Sequence, residues 1–293
     1  MKKSLFGLLV IVVFITSSAI SCQKSVEPDS QPLVNNVKKI DEETNQSTNS
    51  NIKEVVTDQV RIIFLHHSTG ANIWQGGVAD WFANYNSQNG TNYQINEREF
   101  PKDSPYGWDN YPYDYWNIWV NHAGAGNYQE EPTLEILTDQ YDVIVWKHCF
   151  PVSDIEEDIG DPDVASSDKR IENYQLQYNA LKAKMQEFFD TKFIVWTGAA
   201  QVQEATDPEM ASRAKTFFNW VKNDWDETGD NIFIWDFYQL ETEGGLYLKN
   251  EYAEDSSDSH PNSQFFQTVA PYFGQRIVDV IEGRGDIADK VGH

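Results

Sequence analysis

The sequence predicts an α/β domain, a three-layer αβα sandwich on a mainly parallel sheet, between residues 57 and 283. Four short runs of β-branched and aromatic residues read as buried strands, and apolar residues recur at helical spacing between them. About 230 residues suffice to bury a substantial core in one domain. Strands alternating with helices bury every apolar stripe when a parallel sheet is covered on both faces.

Val60 to Leu65 (VRIIFL) is the first strand, and Ile73, Trp74, Val78, Trp81, Phe82 and Tyr85 mark the helix after it. Tyr93 to Ile95 is a shorter strand candidate. Asp142 to Trp146 (DVIVW) is a second buried-type strand, followed by a helix face carrying Ile171, Tyr174, Tyr178, Leu181, Met185 and Phe188. Phe193 to Trp196 (FIVW) comes next. Asp207-Pro208, a cap and a first-turn proline, then opens a helix through Met210, Ala214, Phe217, Phe218, Val221 and Trp225. Ile232 to Trp235 (IFIW) precedes a last helix from Asn262 through Phe265, Phe266, Val269, Phe273, Ile277 and Val280, and residues 284–293 form a tail.

Ahead of the domain, Lys2 and Lys3, the apolar run Leu5 to Ile15 and the small residues Ser17 to Ser21 have the layout of a secretory signal over residues 1–21. The apolar run is shorter than the roughly 20 residues a spanning helix needs. Ala19-Ile20-Ser21-Cys22 resembles the lipobox of bacterial lipoproteins, with Ala19 in place of the usual Leu, which implies lipidation of Cys22 and a cell-envelope location. Residues 22–56 are polar and free of aromatics, the composition of a flexible tether. Cys149 is the remaining cysteine, so the domain has no pair for an internal disulfide.

The formal charge of −24 falls on the domain, with 40 acids against 16 bases. That balance excludes nucleic acid and polyanionic surfaces as partners. Every Trp and every Tyr also lies in the domain, for the core or for stacking on sugar rings; Tyr106, Trp108, Tyr111, Tyr113, Tyr115, Trp116 and Trp119 are where a sugar-stacking wall is expected.

In a parallel sheet the site lies at the carboxyl ends of the strands. Directly after the first strand stand His66-His67-Ser68-Thr69-Gly70, where a serine is either a helix cap or a nucleophile beside N–H groups that favour an oxyanion. Asp258-Ser259-His260-Pro261-Asn262 stands just before the final helix, and the last and first loops of such a sheet can face one another. Together they supply serine, histidine and an orienting carboxylate.

With both segments in view the chain resembles the SGNH/GDSL hydrolase superfamily, esterases and lipases of flavodoxin-like three-layer fold. Ser68 in FLHHSTG takes the place of the serine of the G-D-S motif, and His260 in SDSHPN that of the histidine of D-x-x-H. His66 and His67 replace the Gly and Asp before the serine, and Ser257 stands where the Asp three before the histidine is usual. Asp258, or alternatively Asp255, must orient His260. For the family's further oxyanion donors the resemblance points to Gly107, with Gly124 as competitor, and to Lys147 or His148 where the usual Asn is missing; Thr69 lies beside the nucleophile.

The resemblance implies a serine esterase that removes acetyl or similar acyl groups, and lipid-anchored export with aromatic richness suggests carbohydrate as the carrier. No cofactor or metal is required, a membrane is met through the lipid anchor only, and a monomer is expected. Two other readings stand beside it: a non-catalytic glycan-binding lipoprotein, and a metallo-hydrolase using His66, His67, His148 and Asp236. The acidic run Asp154, Glu156, Glu157, Asp158, Asp161 and Asp163 lacks the ligand ladder of a calcium loop and reads as a solvated charged loop, and Cys149 reads as a buried filler.

Overall fold

The computed structural model describes residues 58–107 and 109–293; the signal segment, Cys22, the tether and Trp108 lie outside the described residues. Five parallel strands form one sheet: β1 (Val60–His66), β2 (Tyr93–Glu99), β3 (Val143–Trp146), β4 (Lys192–Trp196) and β5 (Ile232–Trp235). Their order is β2-β1-β3-β4-β5, a doubly wound sheet whose order reverses between β1 and β3. The fold expected from the alternation of elements is the fold observed.

Side chains alternate across the sheet as the two-residue period of a strand requires. Ile63, Leu65, Ile144, Trp146, Phe193 and Val195 face one apolar layer, with α3 (Pro112–Trp116), α5 (Ile171–Gln186) and α6 (Pro208–Trp220). Ile62, Phe64, Val143, Val145, Ile194 and Trp196 face the other, with α1 (Thr69–Gln75), α2 (Val78–Asn89) and α8 (Ser263–Ile281). Two shorter helices, α4 (Leu134–Gln140) and α7 (Phe237–Thr242), complete the set. Under the carboxyl end of the sheet Trp196 packs edge-on to Trp235 at 4.3 Å and against Phe237 at 4.7 Å. Fully burying each such ring stabilises the domain by roughly 2–3 kcal/mol.

Three expectations change. The single helix expected through Ile73 and Tyr85 is two, α1 and α2, because Gly77 takes φ +100° between them and Gly76 lets the chain pass the Phe266 carbonyl, where a Cβ would come within 2.5 Å. Tyr93–Ile95 is the start of a seven-residue edge strand paired to β1 along its whole length. Residues 284–293 are no tail: Val291 is buried, its carbonyl accepts from Trp235 Nε1 at 2.9 Å, and the Lys290 carbonyl accepts from Asp236 N at 2.9 Å. Sequence hid this because the strap is held mainly by its backbone.

Candidate active site

β1 delivers the chain to the carboxyl edge of the sheet and turns sharply into α1 through Ser68, whose φ of +39° and ψ of −98° are rare for a residue with a Cβ. Such a conformation costs about 1–3 kcal/mol and persists only where its surroundings fix it. Here the Gly70 and Asn72 N–H groups donate to the carbonyls of His67 (2.8 Å) and Ser68 (3.1 Å). Gly70 has to be glycine: a Cβ there would lie 2.4 Å from His66 Cβ. Gly70→Ala is therefore expected to lower the urea midpoint by an overpacking loss of about 1–3 kcal/mol.

The turn raises the Ser68 hydroxyl to the ring of His260, with Oγ 2.7 Å from Nε2. His260 Nδ1 lies 2.6 Å from Asp258 Oδ1, which also accepts from His260 N at 2.9 Å. A proton on Nδ1, donated to Asp258, leaves Nε2 to accept from the serine. These backbone and ring donors hold the Asp258 carboxyl below its usual range.

The segment that carries His260 is pinned at every step. Asp255 Oδ1 accepts from Ser257 N, Ser257 Oγ and Asp258 N, so it shapes the turn and Asp258 is the carboxylate on the imidazole. Glu254 N donates to the His260 carbonyl at 2.7 Å, and Asn262 caps α8 by accepting from Phe265 N. Val202 N, beyond β4, donates to Ser259 Oγ at 3.0 Å, and the Phe150 ring stands edge-on to the imidazole at 4.9 Å.

The remaining sequence candidates fall elsewhere. Gly107 takes φ +77°, but its N–H donates to the Asp103 carbonyl within a turn, so it is not a free oxyanion donor. The Gly124 carbonyl accepts from Thr133 Oγ1, in the turn ahead of α4. His148 is fully buried among Tyr115, Trp146 and Tyr178, with Nε2 2.9 Å from Tyr178 Oη; burial drives its pKa far below the usual value, and it offers nothing to a substrate. Lys147, one residue earlier on the opposite face, is also fully buried and points beneath the Ser68 turn, where Nζ donates to the His67 carbonyl at 3.2 Å. Neither side chain is a direct donor beside the Ser68 hydroxyl. The N–H of Ser68 makes no hydrogen bond among the described residues, and Thr69 is buried with its Oγ1 unpartnered.

His66, His67, His148 and Asp236 do not converge. His66 Nε2 lies 2.8 Å from Glu97, and burial with Lys147 and His67 nearby pushes its pKa down to about 3. His67 contacts the Pro101 carbonyl and, at 3.1 Å, Glu99; burial lowers its pKa against their pull. Asp236 accepts from Thr197 and Lys222. Among the described residues no cluster of His, Cys, Asp and Glu has metal-binding geometry.

In the acidic run, Glu156 pairs with Arg170 and Asp158 accepts from Glu172 N, a hydrogen-bonded surface loop. Cys149 is buried, as a filler should be. The expected sugar wall is largely core: Tyr111, Tyr115, Trp116 and Trp119 are buried, with Tyr106 and Tyr113 packed against them. Asn110 went unnoticed in the sequence. It is fully buried with φ +54°, its amide donates to the Phe100 carbonyl and its own carbonyl accepts from Cys149 N, tying the loops after β2 and β3 together. Asn is among the residues that tolerate this conformation, the one local clue to it.

A cavity of about 710 Å³ between α7, α8 and the C-terminal strap includes neither Ser68 nor His260. The triad sits instead on an open face, with His260 and Asp258 side chains 38% and 43% exposed.

No protein-family model and no curated protein matches the chain. A solved structure described as a gut microbial diltiazem-metabolizing enzyme is similar, with a TM-score of 0.44 and 12% identity over 78% of this chain and 47% of that one. The chain thus spans about half the length of that protein, and a likeness at this level assigns no activity to it.

Proposed function

We propose that this protein is a serine hydrolase that cleaves esters, with Ser68 as nucleophile, His260 as general base and Asp258 as the carboxylate that orients the imidazole. The observation that carries the reading is the continuous relay Ser68 Oγ–His260 Nε2 and His260 Nδ1–Asp258 at 2.7 and 2.6 Å, built from two segments 192 residues apart. A polar turn or a helix cap does not need that convergence, and Ser68 makes no capping bond.

His260 takes the proton of Ser68 Oγ as the oxygen attacks the acyl carbon, and then returns it to the departing alkoxide. Water, deprotonated by the same imidazole, hydrolyses the acyl-enzyme. The negative charge on the former carbonyl oxygen is met by the unengaged Ser68 N–H. An acetyl or similarly small acyl group on a carbohydrate is the proposed substrate, and lipidation at Cys22 holds the enzyme in the cell envelope. The carbohydrate carrier rests on the acidic, aromatic-rich domain and on the export signal.

The test is covalent. A fluorophosphonate should label one site, Ser68, and 4-nitrophenyl acetate and acetylated xylo-oligosaccharides should be turned over at rates that a chelator leaves unchanged. Retention of glycans with neither labelling nor turnover would replace the esterase by a glycan-binding protein, and loss of activity with chelator would replace it by a metallo-hydrolase.

A further inference from the structure

A lysine side chain fully removed from water is expensive unless its charge is paired, yet the hydrogen-bond partners of Lys147 Nζ among the described residues are uncharged groups or a thiol rather than a carboxylate. Its Nζ donates to the His67 carbonyl at 3.2 Å and to Cys149 Sγ at 3.5 Å, and stands 5.7 Å from the centre of the Trp196 ring. Burial lowers the Lys147 pKa and raises that of the equally buried Glu241, whose carboxyl accepts from Ala200 N at 2.7 Å; the longer-range attraction between the two opposes both shifts. Packing does not explain a cation here, since a methionine would fill the same space beside Trp196 without a charge to bury.

The carbonyl that Lys147 holds belongs to the peptide group joining His67 to Ser68. The N–H of that same group is the one at the nucleophile, and it makes no hydrogen bond among the described residues. The oxygen accepts twice, from Gly70 N at 2.8 Å and from Lys147. An amide whose oxygen is bound by a charged donor is polarised, and its N–H becomes the stronger donor, because hydrogen bonds in a chain reinforce one another. Two donors on the oxygen also fix the plane of the amide, and with it the direction of the N–H.

We infer that Lys147 is a positioning residue of the esterase site: through the His67–Ser68 peptide group it orients and strengthens the Ser68 N–H as the donor to the oxyanion. It touches no substrate. The inference rests on the serine hydrolase reading and deepens it, filling by polarisation from behind the turn a part of the role that a side-chain donor would fill from the front.

Lys147→Met keeps the length of the side chain and removes the ammonium. With 4-nitrophenyl acetate its kcat is expected to fall about 10- to 100-fold, with KM within roughly twofold of the unaltered protein, because the interaction matters in the transition state. The amide proton of Ser68, assigned by selective 15N labelling, should move upfield as its peptide group loses polarisation. Should Lys147→Met not fold, Lys147→Ala with added propylamine takes its place: the amine should restore turnover at least about fivefold in that variant and not in Ser68→Ala. Lys147→Met with kcat within about threefold of the unaltered protein, a rise in KM at unchanged kcat, or no amine rescue overturns the inference and leaves the esterase standing. Absence of turnover and of Ser68 labelling in the unaltered protein sinks the esterase reading itself, and this inference with it.

Discussion

Ser68→Ala and His260→Ala are each expected to lower kcat on 4-nitrophenyl acetate by roughly a thousandfold or more, with the melting temperature nearly unchanged. Ser68 is partly exposed and among the described residues its Oγ has one partner, the His260 ring, so removing either side chain strands no buried group there. The double variant should be no worse than either single one, since a nucleophile without its base is already idle. Asp258→Ala should be milder. Its carboxylate orients and stabilises a ring that Phe150 also contacts, and the turn around it keeps the Asp255 bonds to Ser257. Steady-state kinetics on the four variants, with circular dichroism to verify the fold, decides the matter. Turnover in Ser68→Ala at a tenth or more of the original rate would exclude Ser68 as nucleophile.

Ending the chain at Gly283 is expected to reduce the stability of the domain by about 4 kcal/mol, read from urea unfolding. The loss sums the burial of Val291, the hydrogen bonds from Trp235 Nε1 and Asp236 N to strap carbonyls, and the penalty of leaving the fully buried indole N–H of Trp235 without an acceptor. Against a total stability of about 5–15 kcal/mol this is about a quarter of the fold or more. Trp235 packs on Trp196, whose ring lies under Lys147, so the shortened chain should also be less active. An unchanged urea midpoint would show that the strap only rests on the domain.

The strands and main helices were legible because their signals are local. FIVW and IFIW have four apolar side chains in a row, which only a strand covered on both faces can bury, and Asp207-Pro208 is a start signal that the structure uses as written, Asp207 accepting from Glu209 N and Met210 N. The break between α1 and α2 was less legible, although Gly76-Gly77 stands there, because the apolar period runs through it and the close approach of α8 that requires Gly76 belongs to another part of the chain.

What the sequence determined by itself was the layer order, the parallel sheet, and the two loops in which a serine and a histidine had to be sought, since hydrophobic period and turn residues are written residue by residue. Tertiary structure alone decided the rest. Asp258 rather than Asp255 meets the imidazole because Asp255 is consumed by the turn that aims it, a matter of φ and ψ that spacing does not encode. Neighbours on the extended segment after β3, Lys147 and His148, part to opposite faces, one beneath the Ser68 turn and one into the aromatic core. Their fates differ because burial and partners belong to a site assembled from strands far apart in the chain, whereas the sequence records only what each residue brings to it.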